Sequence, residues 1–238
     1  MSLYWLTGRA QTRVSGPSWV YDYSPMRVVA VPVKSLERAK SRLAGALTPL
    51  ERAALTLAML EDVLDACLSL PGWQTWVISP DEAVLEVSAR RKARPLAEEE
   101  PSLVGAIRQV GLEAANADAL GVVLGDLPLL TGEALGRVFR TLGPVVVSPA
   151  SSDAGTNVLL RRPPGIIPPL FGTDSFRRHQ DAAELRGIPV GVVRGPELGF
   201  DLDRPEDIPQ LLAWPGRSRT KAACLEMGLP DRLSLRAE

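Results

Sequence analysis

From residue 27 onward, short apolar runs alternate with stretches of helical spacing. Arg27-Val28-Val29-Ala30-Val31-Pro32-Val33 is rich in β-branched residues and reads as a buried first strand. Thr48-Pro49-Leu50-Glu51 opens a helix: Thr48 suits the N-cap, Pro49 the first helical position, and Glu51 completes a capping box. Apolar residues at 55, 57, 59, 60, 64 and 68 give that helix a broad face to bury, and Pro71-Gly72 ends it. A strand is expected over 75–79, and Ser79-Pro80-Asp81-Glu82 starts a second helix. Residues 94–100 form a polar link with room for a short strand, and 103–115 return to helical spacing. The remaining pattern gives strands at 120–124, 145–147, 157–160 and 190–193, and helices at 131–142, 174–186 and 205–212. The prolines between 163 and 169 can only be a loop. This alternation predicts an α/β fold of three layers, a mostly parallel sheet with helices on both faces. A domain over 26–213 accounts for it. An N-terminal extension, 1–25, is expected to be disordered, and the pattern does not explain a C-terminal tail, 214–238.

Two acidic positions stand at strand ends. Gly125-Asp126-Leu127-Pro128-Leu129-Leu130 directly follows the strand at 120–124, which leaves Asp126 at the carboxyl edge of the sheet, where open α/β sheets bind ligands. Asp201-Leu202-Asp203 follows the last strand and precedes Arg204-Pro205-Glu206-Asp207. Two separated carboxylate sites suit a hard divalent cation that grips a polyphosphate. Taken singly, Asp126 reads equally as a turn or capping residue, and Asp203 equally as a second metal ligand or the cap of the following helix. After the first strand comes Lys34-Ser35-Leu36-Glu37-Arg38-Ala39-Lys40-Ser41-Arg42-Leu43, which contains no glycine. The dinucleotide fingerprint is therefore absent, and redox use of a nicotinamide cofactor is disfavoured. Its cations Lys34, Arg38, Lys40 and Arg42 stand where a loop meets a bound nucleotide and suit a triphosphate, although an ordinary solvated loop would carry them as well.

Composition narrows the field. Lys and Arg number 27 against 28 Asp and Glu, for a net charge of -1, so no general field attracts nucleic acid or an anionic membrane and any basic site is local. The two cysteines, Cys67 and Cys224, make no disulfide framework and fit a reducing cytoplasm. A single histidine, His179, excludes a multi-histidine metal site and is expected on the surface of its helix. No apolar run approaches the roughly 20 residues that span a bilayer.

Taken together, Pro32-Val33-Lys34, Ala39-Lys40-Ser41-Arg42-Leu43, Glu51-Arg52, Ala58-Met59-Leu60, Gly125-Asp126-Leu127-Pro128, Gly155-Thr156-Asn157, Phe171-Gly172-Thr173-Asp174-Ser175 and 201–207 resemble the CofC/FbiD family. These are guanylyltransferases of coenzyme F-420 biosynthesis that act on 2-phospho-L-lactate or phosphoenolpyruvate. The resemblance, over about 26–208, implies a Rossmann-like, GT-A-like nucleotidyltransferase fold related to the molybdenum-cofactor guanylyltransferases. It implies Mg²⁺ on Asp126 and Asp201, and Thr156, Gly172 and Ser175 on the acceptor, while Asp203 stays a candidate metal ligand from the residue reading above. GTP would meet Lys34, Lys40 and Arg42. Read from the residues alone, Gly172 is also a turn glycine, and Ser175 is better read as a helix cap. One departure is Ser102-Leu103-Val104, where the family often has Leu-Asn. The implied partners are GTP and a small phospho-acid, with no nucleic acid and no membrane, and a homodimer is compatible. Phosphoenolpyruvate is placed slightly ahead of 2-phospho-L-lactate because the chain looks closer to the bacterial branch. The competing readings are another Mg²⁺-dependent nucleotidyltransferase of molybdopterin or sugar-phosphate type, a GT-A nucleotide-sugar glycosyltransferase using Asp201-x-Asp203, and a non-enzymatic binding module.

Overall fold

Five consecutive buried residues, 28–32, leave β1 (Arg27–Pro32) no solvated face, as a central parallel strand requires. In the computed structural model, which describes residues 25–234, β1 lies between β2 (Gln74–Ser79) and β4 (Ala119–Val123), parallel to both. The expectations for residues 1–24 and 235–238 fall outside the described residues. With β3 (Arg94–Ala97), β5 (Val145–Pro149), β6 (Thr156–Arg161) and β7 (Val190–Val192), the sheet has seven strands in the order β3-β2-β1-β4-β6-β5-β7. β6 runs antiparallel to β4 and β5, and every other pairing is parallel. The fold is thus the expected α/β architecture with one reversed strand.

Local chemistry sets the helix starts. α1 (Pro49–Leu68) carries the complete capping box, with Thr48 accepting from the Glu51 amide and Glu51 accepting from the Thr48 amide. Asp81 caps α2 (Glu82–Arg90), Ser102 caps α3 (Leu103–Glu113) and Thr131 caps α4 (Gly132–Arg140). α5 (Ser175–Glu184) follows the proline-rich loop, and a one-turn helix, α6 (Pro196–Gly199), follows β7. The closing helix expected over 205–212 is broken into a 3-10 turn, Pro205–Asp207, and α7 (Ile208–Ala213). Beyond it lie α8 (Arg219–Glu226) and α9 (Leu229–Ser234).

Both sheet faces are covered. Val29, Val31 and Val77 meet Leu60, Val63 and Leu64 of α1 on one face, and Ala30, Trp76 and Leu120 meet Ala106 and Val110 of α3 on the other. At Gly121 the Phe139 ring occupies the place of a side chain, so β4 and α4 approach to a distance only glycine allows. A separate core lies off the sheet. Leu43 and Leu47 of the loop after β1 pack there with Leu55, Leu202, Cys224 and Leu229. The segment that hydrophobic spacing left unexplained therefore lies against the front of α1.

Candidate active site

Asp126 stands three residues beyond β4, and its carbonyl accepts the Leu202 amide at 3.3 Å, which draws the two acidic strand-end segments together. The loop after β1 crosses to meet them. Lys40 has a left-handed backbone (φ 51, ψ 41) at the start of the 3-10 turn Ser41–Leu43. Its ammonium donates to Asp126 Oδ2 at 2.8 Å and to Asp203 Oδ1 at 3.2 Å, while Arg42 Nη1 donates to Asp203 Oδ2 at 2.6 Å. The Lys40 side chain is only 6% exposed. Burial alone would drive its proton off, but the charges of Asp126 and Asp203 prevail and raise its pKa. For Asp203, burial pushes upward, and Lys40 and Arg42 outweigh it, so that carboxyl is held below its ordinary range. Asp203 does not cap the helix after it. Asp207, at the end of the 3-10 turn, instead reaches back to accept the amides of Asp203 and Arg204 at 2.8 and 2.6 Å.

Asp201 completes the carboxylate set. Its Oδ1 accepts from Ser152 Oγ at 2.8 Å, and burial first, then the charge of Asp126, pushes its pKa up to about 6. Asp126 Oδ1 is buried and has no hydrogen-bond partner among the described residues. A buried carboxylate oxygen without a donor, next to a second carboxylate that burial above all, and then like charge, has made hard to ionise, is an oxygen pair that suits a hard divalent cation. The residues therefore fit Mg²⁺. No ready-made cluster of three or more His, Cys, Asp or Glu ligands exists among the described residues, and it is the Lys40 ammonium that bridges Asp126 and Asp203. Lys34 is exposed past the end of β1 and stands outside this ion-pair set.

The residues expected at the acceptor gather elsewhere on the same edge, around the start of β6 and of α5. Thr156 is 2% exposed, and its hydroxyl lies 3.1 Å from His179 Nδ1. His179 Nε2 accepts the Leu170 amide at 2.8 Å, so the ring proton sits on Nδ1 and Thr156 Oγ1 accepts it. The expectation of a surface histidine is corrected: residues 175, 179, 182 and 183 form the inward face of α5, and His179 is wholly buried, edge-on to Phe171. Burial, then the positive charge of Arg161 and Arg178, pushes its pKa down to about 4, and the ring is neutral. Ser175 is also buried, and its amide donates to the Gly172 carbonyl at 3.1 Å. Gly172 is exposed with φ 110, a left-handed conformation that disfavours any side chain. Behind this group, Arg161 is buried and donates to the Ile167 carbonyl at 3.1 Å, while its Nε and Nη2 have no hydrogen-bond partner among the described residues.

Of the expected residues the structure brings together Lys40, Arg42, Asp126 and Asp203, with Asp201 beside them, and it adds Ser152, His179 and Asp207 to the surroundings. Only Asp207 had a local signal, the capping pattern of Arg204-Pro205-Glu206-Asp207. Ser152 reaches Asp201 across 49 positions, and no spacing rule connects them.

Comparison with known proteins is consistent with this geometry. Residues 26–227 match the family model described as "Guanylyl transferase CofC like". A phosphoenolpyruvate guanylyltransferase of Rubrobacter xylanophilus is 41% identical over 189 residues, covering 77% of this chain and 92% of the relative. A 3-phospho-D-glycerate guanylyltransferase of Phenylobacterium zucineum is 37% identical over 191 residues, 76% of this chain and 88% of the relative. Among solved structures, a nucleotidyl transferase of Methanothermobacter matches with a TM-score of 0.55 at 18% identity, covering 78% of this chain and 95% of that one, a likeness of fold.

Proposed function

We infer the reaction from one fact: this chain belongs to the CofC-like guanylyl transferase family. It is a nucleotidyltransferase. A phosphate oxygen of the acceptor attacks the α-phosphorus of GTP, a new P–O bond forms, and the bond to the β-phosphate breaks to release pyrophosphate. The nucleophile is already anionic, so no general base is required, in keeping with a neutral, buried His179. The reaction needs in-line placement and neutralisation of charge.

The acceptor we propose is phosphoenolpyruvate, with 2-phospho-L-lactate second, in coenzyme F-420 biosynthesis in the cytoplasm. The Rubrobacter relative's name supports that choice. No helix among the described residues is long and apolar enough to cross a membrane. Asp126 and Asp201 would hold Mg²⁺, which supplies positive charge to the phosphates when bound. Lys40 and Arg42 would turn from Asp126 and Asp203 to the triphosphate, and until it arrives those two carboxylates hold both cations at the site. Gly172 would let the acceptor approach the backbone beside the buried Thr156 and Ser175.

The geometry that supports this reading is the ion-pair set of Lys40, Arg42, Asp126 and Asp203 at the carboxyl edge of β4. It is tested by pyrophosphate release with each nucleoside triphosphate against phosphoenolpyruvate, 2-phospho-L-lactate and 3-phospho-D-glycerate. Release is expected with GTP and phosphoenolpyruvate. A preference above tenfold for another acceptor overturns the acceptor, and release with none of the three overturns the reaction.

A further inference from the structure

The loop that carries Lys40 and Arg42 is fastened from behind by the last helix of the described chain. Asp62, buried in the middle of α1, accepts the amides of Arg219 and Thr220 at 2.8 and 2.9 Å and the Thr220 hydroxyl at 2.6 Å. α8 is thereby welded to α1, and Leu229 at the start of α9 lies in the off-sheet core with Leu43 and Leu47 of the loop. From that anchored arm the Arg232 guanidinium reaches the end of the loop. Nη2 donates to the Ala46 carbonyl at 2.6 Å, Nη1 donates to Glu51 Oε1 at 2.6 Å, and Nη2 also meets Glu51 Oε2 at 3.3 Å. Glu51 Oε2 in turn accepts from the amide and hydroxyl of Thr48, at 2.8 and 2.9 Å. One planar guanidinium thus ties the Ala46 carbonyl, near the loop's end, to the capping box of α1, a bidentate arrangement that a lysine cannot copy. Hydrogen bonding from Arg232, then from the Thr48 amide, holds the Glu51 carboxyl down at about 2, so the pair stays charged through the whole useful pH range.

We propose that Arg232 is a positioning residue for the nucleotide loop: by clamping Ala46 and Glu51 it fixes where Lys40 and Arg42 project, without touching either substrate. The proposal rests on the assignment of that loop to GTP. Lys40 already has a left-handed backbone, and a loop freed at its far end would relax away from it.

Arg232→Ala and Arg232→Lys, in the full chain, are compared with the unmodified protein and with Lys40→Ala. Two readouts are taken: steady-state kinetics for each substrate, and the rate of limited tryptic cleavage after Lys34, Arg38, Lys40 and Arg42, mapped by mass spectrometry. Arg232→Ala is expected to raise the KM for GTP about fivefold, to leave the KM for the acceptor and kcat within twofold, and to accelerate loop cleavage while the melting temperature stays within a few degrees. Arg232→Lys falls between, because it keeps the charge and loses the fork. Loop cleavage unchanged in Arg232→Ala overturns the proposal, as does a uniform loss of stability and of affinity for both substrates. If Arg232→Ala leaves the KM for GTP unchanged while Lys40→Ala raises it, this inference alone fails. If both leave it unchanged, the assignment of the loop to GTP has failed with it.

Discussion

The two halves of the site treat polar groups in opposite ways. On the β1–β4 side, Lys40, Arg42, Asp126, Asp201 and Asp203 are charged or poised to be, partly open, and paired across 86 and 163 positions of sequence. On the β6–α5 side, Thr156, Ser175 and His179 are neutral, buried and hydrogen-bonded to protein. The first half is built to exchange partners: an ammonium can leave a carboxylate for a phosphate because both bonds are charge-assisted and similar in strength. The second half holds a shape, since a buried neutral network has no better partner to move to. The difference suggests that the nucleotide is gripped by charge and the acceptor by a fixed surface.

Removing one charge from the first half is the hardest blow to that contrast. Asp126→Asn keeps the shape and deletes a proposed metal ligand. Turnover, followed by pyrophosphate release, should fall on the order of 10²-fold or more, with the melting temperature little changed. A folded variant with full turnover would erase the distinction between the halves. Lys40→Ala comes next. Charge-assisted hydrogen bonds contribute roughly 1.5–3 kcal/mol, so the KM for GTP should rise about tenfold or more, with a smaller rise for the far more exposed Arg42→Ala. Equal effects on the KM for the acceptor would mean that charge serves both substrates.

The second half is probed by pH. His179 has a folded pKa near 4 against an ordinary 6.5, so the unfolded chain takes the proton first as pH falls. Its contribution to stability is fully present above about pH 6.5 and is lost progressively down to about pH 4, by at most roughly 3 kcal/mol. Urea denaturation across that window should show the decline, and His179→Gln should flatten it. An unmodified slope in that variant would show that other groups govern acid stability. The smallest effect is expected at Gly172, whose φ of 110 penalises a side chain although nothing blocks the space. Gly172→Ala should cost about 1 kcal/mol of stability. No loss would mean the loop relaxes, and the acceptor half is softer than drawn.

Much of this was readable in one dimension. The capping box at Thr48 and Glu51, the cap at Asp81 and the strand-end Asp126 are local signals, and each stands where its chemistry places it. The reversed direction of β6 was not readable, because a buried strand shows the same apolar run whichever way it points. The pairing of Lys40 with Asp126 and Asp203 was not readable either. The sequence shows cations in a loop and carboxylates at strand ends, and only the crossing of that loop over the sheet edge joins them. His179 misled for a related reason. Its helix is polar enough to look solvated, yet the ring turns to the one face that packs, where Thr156 and the Leu170 amide satisfy both nitrogens.

The clamp between Arg232 and Ala46 also has a consequence for how the molecule is made. Translation delivers the nucleotide loop early and α9 late, and at about 5–20 residues per second the interval is on the order of ten seconds or more. During that time the sheet's first strands can pair while the loop still lacks the core residue and the guanidinium that seat it. A nascent chain would therefore acquire its sheet before it seats the loop proposed to meet GTP. A ribosome stalled before α9 emerges would hold a folded sheet with an unseated loop, detectable as tryptic cleavage near Lys40 that disappears once α9 is free to dock.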